Sequence, residues 1–186
     1  MRKIIILVSL LIVSWGAFAQ HNHSNMSNKS KVQPSVTVER SKSASTIIDN
    51  YMALKNALVK EDSKTATSLG KILYDDFVKF DATGVAEQHK KEVTTIIKDA
   101  SQQAKLISDN SGNIAKQRER FEFLNKGVKD LILITGADRT LYQAYCPMYN
   151  NNNGGAWLST TKEIINPYFG DKMLKCGSVQ QEISVK

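Results

Sequence analysis

The sequence has little of what most chemistry needs. Only two cysteines occur in 186 residues, and no CxxC pair is present, so the usual zinc spacings are absent. No glycine-rich phosphate loop follows a strand. No nucleophile, base and orienting acid stand out as a set. Asp75 and Asp76 are adjacent acids, but neighbours on a helix point apart. The chain therefore reads as a non-enzyme. Long apolar runs are also missing. The longest, Ile4 to Val13, is too short for a comfortable membrane span.

That run has a different use. Arg2 and Lys3 precede it, and Ala17-Phe18-Ala19 follows as a small-x-small cleavage site. Residues 1–19 thus have the layout of a secretory signal peptide, with Gln20 starting the mature chain. No cysteine follows to carry a lipid, so no stable membrane anchor is expected after cleavage, and the location implied is periplasmic or secreted. Residues 20–42 are rich in Ser, Asn, Lys and His. A segment with so little apolar surface is expected to be a disordered polar tether. Residues 43–186 have the size of one ordinary domain. The formal charge is +7, yet the basic residues are interleaved with Asp and Glu along helical stretches. A nucleic-acid footprint would gather them on one face, so no nucleic-acid partner is expected.

Four stretches space apolar residues at three and four, as a helix burying one face requires. The first carries Ile47, Ile48, Tyr51, Leu54, Ala57 and Leu58. The second carries Ala66, Leu69, Ile72, Leu73 and Phe77, with Ser63 as expected N-cap. The third carries Val85, His89, Val93, Ile96, Ala100, Ala104 and Ile107. The fourth carries Ile114, Phe121, Leu124, Val128, Leu131 and Ile132. Short polar links containing Gly84 and Gly112 favour antiparallel neighbours. The fold predicted is mainly α, an up-and-down four-helix bundle.

After Gly136 the pattern changes. Leu141 to Tyr145 alternates and is aromatic, as a short strand would be. Asn150 to Gly155 is a run of turn formers, and Ala156-Trp157-Leu158 can return as a partner strand. Pro147 and Pro167 interrupt regular structure on either side. The expectation is a small C-terminal β-hairpin and loop cap over one end of the bundle, with Trp157, Tyr168 and Phe169 as its apolar contacts.

Both cysteines lie in this cap, each near a methionine. Cys146, Met148, Met173 and Cys176 are soft donors of the kind that select monovalent copper or silver. If the two segments meet, four sulfurs could converge on an ion. The same residues allow a second outcome. In an oxidising compartment a cysteine pair usually becomes a disulfide. A Cys146–Cys176 bond would close a loop worth roughly 3.7 kcal/mol in chain entropy, with the methionines as packing residues. His89 falls on the apolar stripe of the third helix, as a buried hydrogen-bonded histidine or as a further ligand at the metal end. His21, His23 and Met26 follow the cleavage point and form a weaker, adaptable ligand cluster or merely part of the tether.

The residues from Tyr145-Cys146-Pro147-Met148 through Trp157-Leu158-Ser159, Ile165-Asn166-Pro167-Tyr168-Phe169-Gly170 and Met173-Leu174-Lys175-Cys176-Gly177 resemble the family called domain of unknown function 3347. Tyr51 to Val59 and Gln117-Arg118-Glu119 resemble its helical part. The resemblance implies an exported bacterial domain, found also at the C-terminus of periplasmic adaptor subunits of heavy-metal efflux pumps. It implies soft-metal handling, with Cu(I) or Ag(I) as the ion and an efflux adaptor or pump as partner. Arg120 stands where relatives carry a histidine. Two functions follow as expectations: a periplasmic copper- or silver-binding accessory protein, or a disulfide-stapled exported interaction domain without metal.

Overall fold

A computed structural model describes residues 32–186. The expected signal peptide and residues 20–31 of the expected tether lie outside the described residues. Four long helices form: α1 Ser45–Val59, α2 Ser63–Val78, α3 Glu87–Asp109 and α4 Ile114–Thr135. Every apolar residue expected on the stripe of α1 is buried. On α3 the buried positions are Val93, Ala100, Ala104 and Ile107. On α4 they include Phe121, Leu124, Val128, Leu131 and Ile132.

The buried face of α2 is rotated from the one expected. It runs through Ala66, Gly70, Leu73 and Phe77, while Ile72 is 43 % exposed. Gly70 sets this rotation, because a Cβ there would lie 2.8 Å from the Ala104 carbonyl oxygen of α3. Only glycine lets the two backbones approach so closely. The cap of α2 also differs by one residue. Asp62, rather than Ser63, accepts the Thr65 amide at 2.9 Å. Ser63 is the first helical residue, and its hydroxyl accepts the Gly112 amide at 2.8 Å.

Consecutive helices run antiparallel. Asn50 of α1 meets Asp76 of α2 at 2.7 Å, and Gln117 of α4 meets the Ile107 carbonyl of α3 at 3.2 Å. The helices do not make a plain four-helix bundle with a hairpin on its end. The C-terminal part is a four-stranded sheet, of which the hairpin is half. Its strands are β1 Val36–Val38, β2 Leu141–Cys146, β3 Gly155–Ser159 and β4 Ser178–Val185, in the order β1-β4-β2-β3. The hairpin of β2 and β3 is antiparallel, with Ala144 opposite Trp157. β4 runs antiparallel to β2 and β1 runs parallel to β4.

Part of the segment expected as tether thus belongs to the sheet. Val36, Thr37 and Val38 are β-branched, which suits a pleated half-buried surface, and they pair with Ile183, Ser184 and Val185. Gln181 fastens the entry to this strand by donating to the Pro34 carbonyl at 2.9 Å.

The sheet is joined to the helices through its edge strand β3. A free strand edge exposes unpaired amides and carbonyls. Here two tyrosines satisfy them. The Leu158 amide donates to the Tyr51 hydroxyl at 2.9 Å, and the Tyr168 hydroxyl donates to the Ala156 carbonyl at 2.5 Å. Tyr51 in turn donates to Asn125 Oδ1 at 2.8 Å, tying α1, α4 and β3 at one point. Burial pushes the Tyr51 phenol far above its ordinary pKa, with the Leu158 amide acting in the opposite sense. Removing that oxygen leaves a buried amide and a buried amide oxygen without partners, each costing about 1–3 kcal/mol. Tyr51→Phe is expected to lose about 2–4 kcal/mol in urea unfolding. A loss below about 0.5 kcal/mol, the scale of a surface change, would contradict this role.

Candidate functional site at the disulfide-linked cap

The cap is assembled from β2, β3 and the irregular chain from 160 to 177. Cys146 ends β2 and is fully buried; Cys176 precedes β4 and is partly exposed. Their sulfurs lie at disulfide distance, with the Cα atoms 5.6 Å apart. The structure therefore brings together the two thiol-bearing turns. Asn166 organises the second of them. Its backbone amide donates to the Leu174 carbonyl at 2.9 Å, its side-chain amide donates to the Cys176 carbonyl at 2.9 Å, and its Oδ1 accepts the Tyr168 amide at 2.8 Å. An Asn before Pro is a turn signal, and that was the available hint of this role.

The methionines flank the disulfide in sequence. Met148 is 51 % exposed. Met173 is half-buried, in a 3-10 turn at Gly170–Met173, and its carbonyl accepts the Cys176 amide at 3.0 Å. His89 does not join them. Its side chain is 43 % exposed and faces Glu92 at 3.6 Å, neither in the core nor near the cap. α3 pairs antiparallel with α4 through Ile107 and Gln117, which sets His89 level with the end of α4. The cap sits instead beside Arg118, about 26 Å along the helix axis at 1.5 Å per residue. His21, His23 and Met26 lie outside the described residues. Among the described residues, no three His, Cys, Asp or Glu side chains cluster as a metal site.

What the cap does present is a cleft of about 290 Å³ between the start of α4 and the β2–β3 turn. Ala115, Arg118 and Glu119 form one wall; Tyr149, Asn150 and Tyr168 form the other. In the sequence Arg118 stands out only within the motif Gln117-Arg118-Glu119, with no role attached, and Tyr149 does not stand out. Arg118 is 8 % exposed. Its Nε donates to the Pro167 carbonyl at 2.8 Å, and Nη2 donates to the Leu58 carbonyl at 3.0 Å and to Glu61 at 3.2 Å. Gly170 allows this approach, since a Cβ there would lie 2.9 Å from both Arg118 Nη2 and Glu61 Oε1. Its φ of +57 also lies in the left-handed region, which favours glycine.

Tyr149 stacks on Tyr168 with ring centroids 4.1 Å apart, and Tyr168 meets Phe121 at 5.9 Å. Burial pushes the Tyr149 phenol up to about 12, helped by the nearby Glu122 and Glu119. The turn beyond it is strained. Asn150, Asn151 and Asn152 all have positive φ, at 50, 54 and 67. Asn tolerates this region better than most residues, but a run of three is costly and such strain concentrates at functional sites.

Glu122 has no ion pair among the described residues, and its carboxyl is raised by burial and then by Glu119. A carboxyl raised on folding adds stability below its unfolded pKa and loses that contribution as pH rises through its folded pKa. Glu122→Gln is therefore expected to be more stable than the parent at pH 7, by less than about 1 kcal/mol for a half-exposed group. The advantage should vanish in urea unfolding at pH 4. An advantage unchanged between the two pH values would contradict this reading of Glu122.

The fold and the cap define a mainly helical domain closed by a disulfide-linked four-stranded sheet. Residues 47–140 match the family described as Protein of unknown function (DUF3347), and the chain belongs to that family. The matched region spans the four helices and ends before the cysteines. No curated protein and no solved structure matches the chain.

Proposed function

We propose that this chain is an exported, non-catalytic binding domain whose disulfide holds a recognition surface at the cap. The observation that carries the reading is the Cys146–Cys176 pair, with Cα atoms 5.6 Å apart and one sulfur wholly inside the core. A buried pair of this kind suits an oxidising compartment, in keeping with the signal-like residues 1–19. The surface it holds consists of the exposed Met148, the left-handed Asn turn and the cleft beside Arg118. A rigid strained turn costs stability, and that cost is repaid where a ligand or partner contacts it. The partner class suggested by the family resemblance is an adaptor or pump of heavy-metal efflux.

One observation favours a second reading. The same Cα separation would let two thiolates share a soft ion once the bond is reduced. As a disulfide the pair supplies no thiolate, so the described residues fit Cu(I) or Ag(I) only in the reduced state. Cys146 and Cys176 would then hold the ion, with Met148 and Met173 beside them in sequence.

Intact mass and alkylation of protein purified without reductant distinguish the readings. The proposal expects no alkylated cysteine, and it expects reductant to lower stability by up to about 3.7 kcal/mol for a loop of this length. It further expects no tight silver binding by the oxidised protein. Free thiols in the purified protein, together with silver binding abolished by the Cys146→Ser, Cys176→Ser double variant, would replace it with the metal reading.

A further inference from the structure

A second concavity lies away from the cap, on the face shared by α3 and α4. It encloses about 530 Å³. Its apolar lining includes Ile96, Ala100 and Phe123, of which Phe123 is 52 % exposed. The Arg120 guanidinium lies over the Phe123 ring, its carbon 5.9 Å from the centroid. Half of the ring's surface nonetheless stays open to solvent, which is apolar area that a partner can cover.

The rim is acidic, on a chain whose formal charge is +7. Glu92 and Asp99 stand one heptad apart on α3 and line the groove. Asp99 has no ion pair among the described residues, and Glu92 faces only His89, at 3.6 Å. On the α4 side Lys126 is already neutralised by Asp130 at 2.6 Å. Gln103 lines the same groove, and its Oε1 is out of contact with solvent and has no donor. The surface thus combines apolar side chains with two carboxylates, Glu92 beside His89 and Asp99 within reach of the Lys126 charge.

We infer that the α3–α4 groove docks a basic amphipathic helix of a partner protein. Charge complementarity selects this occupant. Glu92 and Asp99 are separated by seven residues, or about 10.5 Å along the axis. Two lysines or arginines one heptad apart on a partner helix lying along α3 match that spacing. The apolar stripe between them then rests on Ile96 and Phe123, as amphipathic helices rest in hydrophobic grooves. This surface is independent of the cap, and it stands or falls separately from the disulfide reading.

The probe is a synthetic amphipathic helical peptide of about four turns, with lysines one heptad apart beside a leucine stripe. It is titrated into the isotope-labelled oxidised protein and followed by amide chemical shifts. Shifts are expected along α3 and α4 around Thr95, Gln103 and Gly127, with the cap unmoved. Asp99→Lys, on an exposed position, should keep the melting temperature and weaken binding about tenfold, as should a peptide with glutamates in place of the lysines. Absence of binding at millimolar peptide, shifts centred on the cap, or equal affinity in Asp99→Lys would each overturn the proposal. Sedimentation of the protein alone covers the remaining occupant. A dimer dissolved by Asp99→Lys would assign the groove to a second copy of this chain and overturn the partner-helix reading.

Discussion

One buried guanidinium joins the helices to the cap. Arg118 sits in the second turn of α4 and reaches three groups from separate segments: the Leu58 carbonyl at the end of α1, Glu61 in the α1–α2 link, and the Pro167 carbonyl of the cap. Burying a charge is costly unless it is paired and hydrogen-bonded. Here the planar fork meets two carbonyls and a carboxylate, a geometry lysine cannot reproduce. The neighbouring Gln117 makes a second junction, donating to the Ser63 carbonyl and Thr67 on α2 and to the Ile107 carbonyl on α3. Two adjacent side chains at the start of α4 therefore set the positions of the other three helices and the cap.

Around this polar junction the aromatic residues form the apolar part of the same joint. Tyr51 stacks on Phe121 at 5.1 Å, and Tyr168 reaches Phe121, Tyr149 and Trp157. Offset and edge contacts of this kind add to the area they bury. Because Tyr51 and Tyr168 also cover the outer edge of β3, the sheet ends there rather than offering an edge for aggregation. The disulfide acts on the same unit, closing the loop that contains Trp157, Asn166 and Tyr168. The cleft, the Met148 surface and the strained Asn turn are therefore mounted on a part of the molecule fastened both by the disulfide and by Arg118. That rigidity is the physical basis for reading the cap as a binding surface.

The helices were legible because their apolar spacing is regular and their links are short. The first helix was read residue by residue. The second was misread by a fraction of a turn, because Gly70 carries no hydrophobicity and yet occupies the buried face. The hairpin was legible from alternation and turn formers. β4 was not, since Gln180 and Gln181 take its buried central positions and an irregularity in its pairing with β2 breaks the alternation. β1 is three residues long and lies in a polar stretch, so composition pointed to a tether. In the candidate site, proximity of the two cysteines was anticipated, while Arg118 was hidden because a charged residue on a helix normally reads as solvated surface. His89 shows the opposite error. It continues the three-four spacing between Val85, which packs against the core, and the buried Val93, yet its side chain is 43 % exposed and turns to Glu92.

Arg118 couples the cap to the helices. Native-state hydrogen exchange of the Arg118→Lys variant, with the disulfide intact, tests it most directly. The expected result is faster exchange of the Leu158 and Tyr168 amides and of the chain through Cys176, with the α2 and α3 amides on the side away from the cap retaining their protection. Unchanged protection at Leu158 and Tyr168, or an equal loss across all four helices, would contradict the claim.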